Sequence, residues 1–175
     1  MTATRTTLLI ALLGALLAAG CGWHLRGTSD IPDNIESLHI SARNLNSALV
    51  EDLRRALVSN GITVVKNATE AKYSLVLLAE NSDRRTASIG ASARVAKLLL
   101  TESIDFLILA ADGTQVLGRT TATTERQFEY NENNVLTTDD EALLLRAEMR
   151  SELVHKILNR LRFVSHRTSD NAPAP

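Results

Sequence analysis

Few side chains in this 175-residue chain are spaced for chemistry. The four histidines, His24, His39, His155 and His166, include no pair at i, i+4, and none stands where it could share a metal with a free cysteine. A structural zinc site needs four converging ligands, so no metal site is expected. No G-x-S-x-G elbow, P-loop or G-x-G-x-x-G turn occurs, and nothing else in the order of residues points to catalysis or to a bound cofactor. What remains is cationic. Arg84, Arg85, Arg94 and Lys97 bracket the connection "DRRTASIGASAR". Such a cluster either meets phosphate groups through charge-assisted hydrogen bonds or stands as an ordinary solvated loop. Arg146 and Arg150 lie at the edge of, and inside, an otherwise apolar helical stripe. They either snorkel from a helix that overhangs its sheet or form a buried or partner-facing pair.

The lone cysteine, Cys21, closes the stretch "LLGALLAAGC". Arg5, a threonine-rich lead and an uncharged run over residues 8–19 have the layout of a secretory signal. At about 1.5 Å per residue that run is too short to cross a ~30 Å hydrocarbon core as a helix. "LAAGC" resembles the bacterial lipobox, with Ala18 where Leu or Val is more usual. The resemblance implies cleavage of residues 1–20 and a covalent lipid, diacylglyceryl on the thiol and an acyl group on the new amine, at Cys21. Several acyl chains anchor a domain stably where one does not. Gly22 stands where an inner-membrane retention signal would place Asp, which implies the outer membrane.

Removal of 20 residues leaves 155, the size of one domain with one core. It also removes Arg5, so 18 basic face 20 acidic side chains and the net charge is −2. That balance and 3% aromatic residues exclude a nucleic-acid binder by charge and by stacking. The same aromatic poverty argues against a membrane barrel, which carries aromatic girdles.

The elements that would position these cations follow from periodicity. "SLHIS" (37–41) is a short strand, and Asn46 to Asn60 has helical i, i+3, i+4 spacing ended by Gly61. "ITVV" (62–65) is a second short strand, and residues 73–79 an apolar one. From 95 to 109, Leu98, Leu100, Ile104, Phe106 and Ile108 share a face opposite Lys97, Thr101, Ser103 and Asp105, with Glu102 breaking the apolar side. Asp112-Gly113 turns the chain into a threonine-rich strand over 116–128. Thr138 and Glu141 have capping-box spacing for a last helix whose stripe holds Leu143, Ala147, Val154, Ile157, Leu158 and Leu161. Residues 168–175 are expected to be a disordered tail. Two helices and a sheet with one dry face imply a two-layer α/β sandwich over residues 21–167.

In that order, "CGWHLRG", the Pro32 link, "SNGITVV", "TASI" and "FEYNENNVLTTDDEALLLRAEMRSELVHKILNRL" resemble the LptE family, formerly rare lipoprotein B. The similarity spans essentially the whole chain after Cys21. It implies two helices on a mostly antiparallel four-stranded sheet, and an outer-membrane lipoprotein that plugs the LptD β-barrel as a heterodimer. It also implies help in assembling that barrel and contact with lipopolysaccharide, placed at Arg94 and Lys97 and at Arg146 with Arg150. Trp23 and Arg26 would form the membrane-proximal bridge, unless Trp23 simply packs on the first strand. The competing expectation is a periplasm-facing lipoprotein that carries an amphiphile without a barrel.

Overall fold

Leu38 and Ile40 point to one side of the first strand and His39 to the other, and that alternation sets which side of the sheet is dry. The computed structural model describes residues 35–90, 95–131 and 135–170. Strand β1 (Ser37–Ala42) leads into helix α1 (Ala48–Ser59) and a three-residue strand β2 (Thr63–Val65). After a single 3₁₀ turn at Ala68–Glu70 come β3 (Tyr73–Ile89), β4 (Val95–Ala110), β5 (Gln115–Glu129) and helix α2 (Val135–Asp170). The sheet order is β2-β1-β3-β4-β5; β1 is parallel to β2 and β3, and β3, β4 and β5 are antiparallel.

The two-layer α/β expectation holds, with five strands where the family resemblance implied four. The fifth is β2, which pairs with β1 over three residues, and His39 Nδ1 lies 3.3 Å from the Val65 carbonyl oxygen there. Ser47 caps α1 by accepting the Val50 amide on its hydroxyl. Gly61, at φ +81°, ends it, with the Ile62 amide donating back to the Leu57 carbonyl.

Three expectations need correction. First, β3 does not stop at 79 but continues through "ENSDRRTASI", because its amides pair with β4 as far as Ile89↔Val95. Second, α2 begins at Val135, so Thr138 is not a cap. Its side chain is buried inside the first turns and lies 3.5 Å from the Asn131 amide of the preceding loop. Third, α2 runs on through Asp170, past the expected tail boundary at 168, since no Gly or Pro interrupts it before Pro173.

Length differences then divide the interior. Helix α1 has 12 residues and α2 has 36, or about 18 and 54 Å. Ser47, at the start of α1, donates a 2.7 Å hydrogen bond to Glu80, midway along β3. Beyond that point the long strands are covered by the first half of α2 and not by α1. The main core joins Leu38, Ile40, Leu53, Leu57, Leu75, Phe106, Ile108, Ile157 and Leu161, with their neighbours on all these elements. A smaller separate cluster of Leu98, Leu100, Phe128, Ala142 and Met149 lies under the first half of α2. Within the α2 stripe, Val154, Ile157, Leu158 and Leu161 are buried, but Leu143 is 62% exposed because α1 does not reach it. No helix among the described residues is long and apolar enough to cross a membrane.

Candidate functional site

Glu102 faces the helices between Leu100 and Ile104, which are fully buried. A carboxylate there needs partners. It accepts a 2.6 Å hydrogen bond from Ser82 on β3, and Arg146 Nε of α2 stands 3.3 Å from it. One turn on, Arg150 Nε lies 3.5 Å from Asp52 of α1. Neither Nε is aligned as a hydrogen-bond donor, so both contacts are ion pairs held by charge. The two arginines within the apolar stripe are therefore the links from α2 to the sheet and to α1, each still about one-third exposed.

Toward β5 the same row continues. Glu152 accepts from the buried Thr124 hydroxyl at 2.9 Å and from Arg126 at 2.7 Å, and pairs with Lys156 at 2.9 Å. Its carboxyl is held down to about 2, chiefly by the Lys156 hydrogen bond and then by that of Thr124, against a smaller opposing effect of burial. Ser82, Glu102 and Thr124 are cross-strand neighbours, so this row forms a polar belt across the sheet between the two apolar clusters.

Among the described residues the opposite face of the sheet carries no helix. Its exposed residues are hydroxyls, amides and charges, with Lys97, Asp83 and Glu129 beside two ion pairs, and half-buried Val76, Leu99 and Leu107 lie among them. Arg119 and the Thr121 hydroxyl both donate to Asp105, which lowers that carboxyl's pKa, the Thr121 bond first. Arg85 stands 3.9 Å from Glu125, which also accepts from Thr101. None of the exposed large apolar side chains belongs to β4 or β5; they are Leu45, Val58, Ile89, Leu136, Leu143, Leu144 and Phe163.

The expected cation sites are thus dispersed. Arg84 faces the helix side, 3.2 Å from Asp139, whereas Arg85 faces the open side. Lys97 is exposed on the open face opposite Glu129. Cys21, Trp23, Arg26 and Arg94 lie outside the described residues. Asp52, Ser82, Thr124 and Glu152, which complete the belt, were not singled out in the sequence. The one signal for them was Glu102 itself, an acid on a dry face that required a cation. Among the described residues no group of three or more His, Cys, Asp or Glu side chains is placed to hold a metal ion.

Known proteins match this architecture. Residues 35–161 match the family model described as LptE, Lipopolysaccharide-assembly. The LPS-assembly lipoprotein LptE of Photorhabdus laumondii is 27% identical over 159 residues, 90% of this chain and 86% of that protein. That of Pectobacterium atrosepticum is 28% identical over 160 residues, 90% and 85%. Among solved structures, rare lipoprotein B from Shewanella oneidensis superposes with a TM-score of 0.69 at 21% identity, covering 76% of this chain and 98% of that one. Lipoprotein B from Nitrosomonas europaea gives 0.69 at 23%, covering 85% and 93%. These two show the fold, while the family model spans most of the chain and every described strand. The chain therefore belongs to the LptE family of lipopolysaccharide-assembly proteins, an assembly family and not an enzyme family.

Proposed function

We propose that this protein is an outer-membrane lipoprotein, lipidated at Cys21, that plugs the lumen of the LptD β-barrel, assists its assembly and contacts lipopolysaccharide in transit. The observation that carries the reading, beyond family membership, is the uncovered sheet face. A broad five-stranded surface left without a helix layer would be apolar if a lipid or a second layer covered it. Here its exposed part carries hydroxyls, amides and charges, among them the pairs Asp105–Arg119 and Arg85–Glu125. The lumen of a large membrane barrel is polar, and such a face suits it.

Contact with lipopolysaccharide phosphates is assigned to Lys97, near the start of β4, and to Arg94, which precedes it in the sequence. Lys97 is exposed and makes no ion pair among the described residues. Arg146 and Arg150 join that contact only through their exposed edges, since Glu102 and Asp52 already hold their guanidinium groups. Trp23 and Arg26 bridge bilayer and domain, with Trp23 suited to the interface.

Detergent extraction and affinity purification of the lipidated protein test this reading. A large, heat-modifiable barrel should co-purify with it. Arg94→Glu combined with Lys97→Glu should keep the barrel and weaken lipopolysaccharide binding about tenfold. Recovery of the protein without any barrel would favour a carrier of amphiphiles.

A further inference from the structure

Among the described residues the long edge of the sheet has no strand partner. Of the two edge strands, β2 has three residues and β5 has 15, so β5 is the long template among the described residues. Its register with β4 is unbroken from Lys97↔Glu129 to Phe106↔Thr120. At the end of that ladder the Tyr130 amide donates to the Ala96 carbonyl. In an antiparallel ladder, hydrogen-bonded pairs alternate, so even-numbered residues from 120 to 130 spend their amides and carbonyls on β4. Those of Thr121, Thr123, Glu125 and Gln127 point outward. The Lys156 ammonium, which donates to the Thr123 carbonyl, marks that outward direction.

Beside this edge lies a groove of about 410 Å³, lined by Thr120, Thr121 and Thr123 of β5 and by Lys156, Asn159 and Arg160 of α2. Arg160 makes no ion pair among the described residues, and Lys156 and Arg126 share one carboxylate, Glu152. The helix-side wall of the edge is therefore net positive. We propose that the free edge of β5 accepts an extended acidic segment of a partner protein as a sixth strand. Main-chain bonds to Thr121, Thr123 and Glu125 would hold it, and an acidic side chain at every second position would meet Lys156 and Arg160. The incoming amides replace the ammonium on the Thr123 carbonyl and the Arg126 guanidinium, which donates to the Glu125 carbonyl at 2.9 Å, and so free Lys156 for a carboxylate. The cationic wall favours an acidic segment over a second copy of β5, which would bring a further Arg126 to it, while that strand's Glu125 and Glu129 lie on the open face. This inference does not depend on the barrel reading, because it concerns the main-chain edge and the wall beside it.

Amide hydrogen exchange on the full-length protein in detergent tests it, with a synthetic peptide alternating Glu and Thr and a counterpart carrying Lys for every Glu. The acidic peptide should slow exchange at Thr121, Thr123 and Glu125, leave the inward amides of Ala122 and Thr124 unchanged, and bind at least about tenfold more tightly than the basic one. Thr123→Pro removes an outward amide without removing a β4–β5 bond and should abolish the slowing. Lys156→Glu with Arg160→Glu leaves the backbone untouched and should reverse the peptide preference. Unprotected outward amides at saturating acidic peptide, or equal binding of the two peptides, would overturn the proposal. So would protection that rises with protein concentration in the absence of peptide, which would assign the edge to a second copy.

Discussion

Arg146 and Glu102 sit where neither charge would be stable alone. The Glu102 side chain is only 13% exposed and has apolar neighbours on its own face. Arg146→Met should therefore destabilise the protein by about 2 kcal/mol, since it leaves a largely buried carboxylate with only the Ser82 hydroxyl. Adding Glu102→Leu should recover most of that loss, because an apolar pair of similar volume suits the flanking Leu100 and Met149. Urea unfolding of both single variants and the double variant measures the coupling. Glu152 supplies a pH test. Its carboxyl falls from an ordinary 4.5 to about 2, so the folded state binds this proton less readily than the unfolded chain does. The resulting stabilisation is complete above pH 4.5 and is lost as pH falls toward 2. It is worth no more than about 1 kcal/mol, because the group is one-third exposed and screened. Glu152→Gln should cost about that much at pH 7, and its stability should fall less steeply than the parent's between pH 4.5 and 2 in thermal unfolding.

At the scale of elements, the polar belt separates a large core from a small one, and α2 spans both. Its second half packs on α1 and the sheet through Leu153, Val154, Ile157, Leu158 and Leu161. Its first half is held by Ala142 and Met149 and by the ion pairs of Asp139 and Arg146, with Leu136, Leu143 and Leu144 left exposed. Local opening should follow that difference. Hydrogen exchange of amides at 140–148 should be at least about tenfold faster than at 154–161, and Met149→Ala should speed the first group without changing the second. Equal protection along the helix would mean that the two clusters act as one core. Much of this division was legible in the sequence, since the alternation from Leu98 to Ile108, its break at Glu102 and the stripe from Val154 onward were all local patterns. The partners of Glu102 were not, because Arg146 lies 44 positions away and no periodicity encodes a contact across layers. The second half of β3 was missed for a related reason. It carries Asn81, Ser82, Asp83, Arg84 and Arg85, whose faces meet water or the belt, so the apolar signal of a strand is absent although the pairing is complete. Thr138 and Glu141 misled in the opposite sense, having the spacing of a cap inside a helix that starts three residues earlier.

At the largest scale, the described residues form a sheet with helices on one side and hydroxyls, amides and charges exposed on the other, and both sides present polar groups outward. A carrier working beside a membrane needs one specialised face, whereas a plug must meet its barrel in every direction around its long axis. Photo-crosslinking in cells separates the two most directly, with a crosslinking side chain at Asn81, exposed on the uncovered sheet face, or at Ser151, exposed on α2. Both positions, on opposite layers of the domain, should capture the same large β-barrel protein. Capture of that barrel from one face alone, or from neither, would contradict the plug reading.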